Sequence, residues 1–405
     1  MSRLVCIGDI HLRQDALQPK RLRSWDRIIE HGSALADLGA WVMTGDLFDT
    51  RSSIADRNDA ATRLQRMARL APVLLPYGNH DLDGDLDIFA RLEAEWPISV
   101  FARPECRRIR LATGAFATVF ALPYPHKAGL AAAGVAACDT LDAADQALDA
   151  IFMRAAAELA DAATRDATFM VGHGNIVGAV ASNGQPQIGR EISVTESHLQ
   201  RLGAICKIFG HIHKPQDIGG AFFVGSGARL DWGELEEKRF VVVDLRPDSS
   251  WTAESVPLFS EPHYLVNGTL TRDGFTWGLA HGADRVVPDP PASWEHCEVR
   301  VRYHYKQSEK PVLDESLVKA PFAAALRLVV EPIAEPDRAL RAPEVAVARS
   351  LADKVTAYGH IAGISVTDRL LEKLGRLETT DPEALVAAVA DEAAAVAREG
   401  REVAA

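Results

Sequence analysis

The chain has 405 residues, 47% of them hydrophobic and 25% charged, with a net charge of −12. At ~100–200 residues per domain, this length and ordinary composition predict two or three globular domains and exclude a disordered, fibrous or solenoid chain. The acidic total by itself argues against a nucleic-acid partner. However, carboxylates gathered in a metal site or an acidic C-terminal segment lower the total without touching a local basic surface.

No apolar stretch approaches the ~20 residues of a membrane span, so no membrane partner is expected. The N-terminus enters a strand directly, without a signal-peptide layout. Cys6, Cys106, Cys138, Cys206 and Cys297 are scattered, with no CxxC pair. They read as reduced thiols of a cytoplasmic protein.

Residues 3–8 form a short apolar run ending in Gly8-Asp9, a buried strand with a polar tip. Helical spacing of Leu22, Trp25, Ile28, Ile29 and Leu35 predicts a helix over 19–38. A strand over 40–44 leads to Gly45-Asp46, a helix over 54–70 follows, and a strand over 73–76 leads to Gly78-Asn79-His80-Asp81. Strands over 168–171 and 205–209 end in Gly172-His173 and Gly210-His211-Ile212-His213. This alternation predicts an α/β sandwich whose polar tips share the carboxyl edge of the sheets. Strands over 222–224 and 240–243 complete a domain spanning 1–256.

The Pro257–Pro262 and Pro288–Pro291 segments read as linkers. A strand over 298–305, a helix over 314–325 and a strand over 326–330 predict a small α+β domain within 257–340. Helical spacing then runs through 341–405, including an Ala-rich acidic helix over 383–402 that would be marginal alone.

The tips collect Asp9-x-His11, Gly45-Asp46-Leu47-Phe48-Asp49, Gly78-Asn79-His80-Asp81, Gly172-His173 and Gly210-His211-x-His213. Oxygen ligands mixed with imidazole suit Mn, Fe, Zn or Co. An isolated Asp or Asn there would merely cap the next helix. Five such elements, each at a strand end, point to a metal centre. Their order resembles that of the calcineurin-like metallophosphoesterases. Within them, Ile7–Leu12, Thr44–Asp49, Gly210–Gln216 and Gly225-Ser226 with Arg229-Leu230-Asp231-Trp232-Gly233-Glu234 resemble SbcD-type nuclease subunits of double-strand-break repair.

This resemblance implies that Asp9, His11, Asp46 and His213 bind one metal. Asp46 would bridge to a second, completed by Asn79, His173 and His211. The cofactors would be two divalent ions, Mn2+ foremost. His80 would not be a ligand; oriented by Asp49, it would protonate the leaving 3′ oxygen or stabilise the phosphorane-like charge. The implied activity is DNA exonuclease and endonuclease. The implied partners are DNA ends, hairpins and single strands, an SbcC-like SMC-type ATPase, and a second copy of the chain, in the nucleoid. The segment 257–340 fits a DNA-capping domain in position, without a motif. The family's Pro-Ser pair after the second tip is here Thr50-Arg51-Ser52-Ser53-Ile54, which leaves a helix start intact.

Lys20, Arg21, Arg23 and Arg27, and likewise Arg103, Arg107, Arg108 and Arg110, read equally as DNA-phosphate contacts or solvated faces. Ser226 and Arg229 read as phosphate contacts or turn residues, and Trp232 as core. Asp15 and Asp81–Asp87 read as solvated. The remaining histidines, among them His31, His198 and His263, read as surface or packing groups. Two competing functions stay open. One is a hydrolase of small phosphodiesters or cyclic nucleotides, and the other is a catalytically silent scaffold.

Overall fold

The computed structural model describes residues 1–126, 141–182, 191–234, 236–280, 290–336, 343–381, 384 and 386. Apart from 384 and 386, the helix expected over 383–402 lies outside this range, as does Cys138. The chain divides into two compact units. One comprises Met1–Asn267, Trp277–Arg302 and Val318–Glu331, and the other Gly268–Thr276, Tyr303–Leu317 and Pro332–Ala405.

The first unit is built on two six-stranded sheets. The first sheet holds β1 (Ser2–Ile7), β2 (Leu38–Met43), β3 (Val73–Pro76), β4 (Ile98–Phe101), β13 (Lys238–Leu245) and β14 (Trp251–Leu258), in the order β14-β13-β1-β2-β3-β4. The second holds β5 (Glu105–Arg110), β6 (Phe116–Leu122), β7 (Ala167–His173), β10 (Cys206–Gly210), β11 (Gln216–Ile218) and β12 (Ala221–Phe223), in the order β11-β12-β10-β7-β6-β5. Asn175–Ile176 and Ser193–Val194, strands β8 and β9, pair separately. β1 to β4 are parallel, as are β6, β7 and β10. Parallel strands need crossovers, here helices α1 (Gln18–Ser33), α2 (Ile54–Ala68) and α3 (Leu141–Ala162).

Side-chain alternation sorts the core into layers. Leu4, Cys6, Val42 and Leu74 of the first sheet pack between the sheets with Val119, Phe169, Val171 and Ile208 of the second. The alternate residues Val5, Ile7, Trp41 and Val73 pack with Trp25, Ile28 and Leu64 of α1 and α2. Phe120, Met170 and Phe209 pack with Leu148, Ile151 and Phe152 of α3. The result is an α/β/β/α sandwich. Strands buried on both faces read as continuous apolar runs, which is why they were legible in the sequence.

α1 ends at Ser33, five residues short of expectation, and Leu35 packs from the following turn. α2 opens with a capping box in which Ser53 accepts from the Asp56 N–H. Beyond the sandwich, β15 (His263–Thr271), β16 (Gly274–Leu279), β17 (Glu298–Lys306) and β18 (Arg327–Glu335) form a sheet in the order β16-β15-β17-β18. The linker expected at 257 begins later, because β14 runs to Leu258. The helix expected over 314–325 is one turn, Ser316–Lys319, followed by a 3₁₀ turn over Ala320–Phe322. Pro321 lacks the N–H that an α-helix would use there. In the second unit, helices cover Pro343–Val347, Leu351–Ala362 and Asp368–Thr379. Among the described residues no helix is long and apolar enough to cross a membrane.

Candidate metal centre

The carboxyl ends of β1, β2, β3, β7 and β10 deliver the candidate residues to one place. Asp9, His11 and His213 form one group with metal-ligand atoms within 4.8 Å of one another, and Asp46, His173 and His211 form another. Asp46 Oδ2 lies 3.2 Å from His173 Nε2 and 3.5 Å from His11 Nε2, so it stands between the groups. Asn79 Oδ1 lies 2.9 Å from His173 Nε2 and 2.8 Å from His211 Nδ1. All seven predicted donors therefore converge. Asp9, His11, Asp46 and His173 are buried, His211 and His213 half-buried, and Asn79 exposed, so the centre opens on one side.

The backbone is bent to achieve this. His11, Asp46 and His211 have φ of 52°, 48° and 96°. Each such residue costs on the order of 1–3 kcal/mol, a strain typical of functional sites. A Cβ on Gly78 would stand 2.0 Å from Asp46 Oδ1, and one on Gly210 would stand 2.4 Å from Asp9 Oδ1. The carboxylates thus sit where only glycine admits them. His11 N–H donates to Asp46 O at 3.0 Å, His80 N–H to Asp46 Oδ1 at 2.9 Å and His211 N–H to Asp9 Oδ2 at 3.0 Å, tying the tips together.

Acceptors outside the centre set the imidazole tautomers. His173 Nδ1 donates to Thr44 O at 2.7 Å, His213 Nδ1 to Glu234 Oε1 at 2.6 Å and His211 Nε2 to Glu191 Oε2 at 3.3 Å. Each ring so held turns its other nitrogen inward. Asp49 Oδ1 lies 3.3 Å from His11 Nδ1, though that nitrogen has no aligned hydrogen bond. His11 Nε2 and His213 Nε2 face each other at 3.0 Å. With His213 protonated on Nδ1, its Nε2 lone pair faces the neighbouring ring, and a shared proton or a cation resolves that contact. The donor set fits divalent metal ions on this observation.

Electrostatics agree. Burial raises Asp9. Burial also opposes ionisation of Asp46, but His173, His11 and the His80 N–H outweigh it and hold this carboxyl low. His173 is pushed down by burial, yet Asp46 and Asp9 lift it to about 9. His211 falls to about 3 through burial and the neighbouring His173. The carboxylates thus draw positive charge toward this space, a demand that a bound cation would meet.

The family model described as calcineurin-like phosphoesterase matches residues 2–215, more than half of the chain. The chain belongs to the calcineurin-like phosphoesterase family. The phosphoesterase domain thus carries metal-dependent phosphoester hydrolysis, and the convergent donors occupy its strand tips.

His80 is exposed at the rim of the phosphoesterase centre, its ring 4.8 Å from that of His11. Its Nδ1 donates at 2.7 Å to the main-chain carbonyl of Asp49, not to the carboxylate. The Asp49 carboxylate faces His11 and accepts from Arg13 Nη1 at 3.0 Å. His11, Asp49 and His80 also lie close enough to form a third group of metal-ligand atoms.

Several residues read otherwise from sequence. Asp81 is not solvated. It is buried and accepts from the Gly78 and Phe48 N–H groups at 2.9 and 3.0 Å, pinning two tips together. Burial and the nearby Asp46 hold its pKa well above the usual carboxylate range. Asp15 is exposed but paired, accepting from Arg21 Nη1 at 2.6 Å. Lys20 and Arg21 are neither DNA contacts nor a solvated face, because both are buried in ion pairs. Arg108 pairs with Asp166, Arg107 with Glu105, and Arg110 lies over Trp96.

Ser226 takes the turn role, donating to Ala228 O at 2.9 Å. Arg229 donates to Glu261 O at 2.9 Å. Trp232 is half-buried against His263. His198 helps cap a short helix, and His31 packs on Phe240.

Sequence reading assigned no role to Glu234 or Glu191. Glu234 is buried, and besides His213 it meets Lys238 Nζ at 2.9 Å and the Leu230 N–H at 2.9 Å. An acidic residue closing the Asp-Trp-Gly-Glu run was the available signal. Glu191 had none.

Proposed function

We propose that the protein is a manganese-dependent DNA exonuclease and endonuclease that processes double-strand breaks or hairpins with an SbcC-like ATPase. One observation carries the step from phosphoesterase to nuclease. Glu234 belongs to the segment that resembles SbcD-type nucleases, and it is hydrogen-bonded to the candidate ligand His213. That contact supports counting the segment as part of the working site.

Two divalent ions held by Asp9, His11, Asp46, Asn79, His173, His211 and His213 would supply positive charge for the scissile phosphate and acidity for an attacking water. Asp46 serves both groups of donors. Glu234, Thr44 and Glu191 keep the imidazole lone pairs directed inward. His80 acts at the rim. Its Nδ1 proton is committed to the Asp49 carbonyl, so the imidazolium would give its Nε2 proton to the leaving 3′ oxygen and return to the neutral Nδ1–H form.

The C-terminal helices leave Leu351, Ile361, Leu370 and Leu377 exposed. These are suited to helix-in-groove docking onto the ATPase.

The test is hydrolysis of linear duplex and hairpin DNA with Mn2+, beside bis-p-nitrophenyl phosphate. Cleavage of all three is expected. Hydrolysis of the small ester alone would replace this reading with a small-phosphodiester hydrolase. Hydrolysis of none would leave a silent scaffold.

A further inference from the structure

A cavity of about 590 Å³ adjoins the metal centre at Asn79. Its walls include Tyr77, Asp83, Asp87, Arg103 and Tyr124. The metal ligands do not need this space, and none of the roles assigned above uses it.

Tyr124 joins the cavity to the centre. Its ring centroid lies 5.5 Å from that of His211 and 6.2 Å from that of His173. The ring is half-buried, and its backbone N–H donates to Tyr77 O at 2.9 Å, which fixes its place. A further part of the lining is also fixed. The Tyr77 hydroxyl donates to Asp87 Oδ1 at 2.8 Å and accepts the Leu86 N–H at 3.1 Å, holding the Asp87 carboxylate in position. Arg103 is exposed and has no ion-pair partner among the described residues.

The charges select the occupant. Asp83 and Asp87 repel a second phosphate, so the cavity does not continue a backbone track. They accept hydrogen bonds from amines, and Arg103 donates to ring nitrogens or carbonyls. An uncharged aromatic ring with an exocyclic amine matches this wall, and Tyr124 offers it a stacking face. A nucleobase linked through its sugar to a phosphate at the centre has that chemistry.

We propose that this cavity is a nucleobase subsite, in which the base of the nucleotide carrying the scissile phosphate stacks on Tyr124 and presents its exocyclic amine to Asp87. The proposal rests on the nuclease reading for its substrate, but its test does not require turnover.

The test is calorimetric titration of the manganese-loaded full chain with 2′-deoxyadenosine 5′-monophosphate and with 2-deoxyribose 5-phosphate, which lacks the base. Base stacking on an aromatic side chain predicts tighter binding of the nucleotide by about tenfold or more. In Tyr124→Ala the two constants should converge. Asp87→Asn, a change on an exposed residue, should weaken the adenine nucleotide relative to thymidine 5′-monophosphate, whose base has no exocyclic amine. Equal constants for the two probes in the wild-type protein would overturn the subsite, and so would a base preference that survives in Tyr124→Ala. A base preference in a protein that cleaves no DNA would retire the nuclease reading and leave the subsite standing.

Discussion

Two clusters of buried charged groups lie in the first unit, and they are built on opposite principles. In the candidate metal centre, Asp9, Asp46 and four imidazoles direct acceptor atoms at a common space, across strained backbone, with no lysine or arginine among them. In the second cluster, Lys20 Nζ of α1 lies 3.2 Å from Glu298 Oε1 and 3.3 Å from Glu261 Oε2. His263 Nε2 meets Glu298 Oε2 at 2.7 Å, and Arg23 reaches Glu261 Oε1 at 3.1 Å. Here each carboxylate already has the protein's own cation. The second cluster is a joint that holds α1 against β15 and β17. Burial of charge does not by itself mark a site. Acceptors that converge without an internal counter-charge do.

The comparison breaks if removing a rim residue empties the centre. His80→Ser should lower phosphodiester hydrolysis by about 10²–10⁴-fold with metal content unchanged, because proton delivery is lost and the donors are not. Parallel steady-state kinetics and elemental analysis check this. Loss of a metal equivalent would make His80 a ligand, within the third group that it forms with His11 and Asp49.

A smaller effect should follow from the acceptors behind the ligands. Glu234→Gln should weaken metal binding about 10–100-fold, as loss of a carboxylate behind a ligating histidine does. Burial pulls the Glu234 carboxyl up, but His213 and Lys238 hold it at about 2, so it stays ionised through the working range. Metal titration of the variant decides the point, and unchanged affinity would reduce Glu234 to a turn residue.

The joint should answer in stability alone. Glu298 is opposed by burial but held at about 2, against an ordinary 4.5, by His263 and Lys20. A carboxyl lowered on folding stabilises the protein fully above pH 4.5, and that contribution disappears as pH falls from 4.5 to 2. Glu298→Gln should therefore cost about 3 kcal/mol near pH 7, the low end for breaking a buried ion pair, since Lys20 keeps Glu261. The gap from wild type should close toward pH 2 and metal stoichiometry should be unaltered. Urea unfolding across pH measures both trends, and a gap independent of pH would remove Glu298 as its source.

Sequence legibility divides along the same line. The tips could be read because glycine, Asp, Asn and His stand at the ends of apolar runs, and chain order alone brings parallel strand ends together. The joint could not be read. Lys20 and Arg23 sit on a helix face that looks solvated until Glu261 and Glu298, far along the chain, are folded onto it. Asp81 was missed for a related reason, because its burial is compensated by main-chain N–H groups that a sequence does not display. The role of the Asp49 carbonyl was equally hidden, since side-chain chemistry draws attention to the carboxylate. The one-turn helix at Ser316–Lys319 shows a local signal, Pro321, overriding apolar spacing.

The central claim is that Asp46 stands between two sets of donors and serves a pair of ions. Electron paramagnetic resonance of the full chain titrated with Mn2+ tests it most directly. Two equivalents should bind, and the second should produce the exchange-coupled spectrum of ions ~3.5–4 Å apart. Asp46→Ala should abolish that coupled signal. A single equivalent, two uncoupled ions, or a coupled pair that survives in Asp46→Ala would contradict the account.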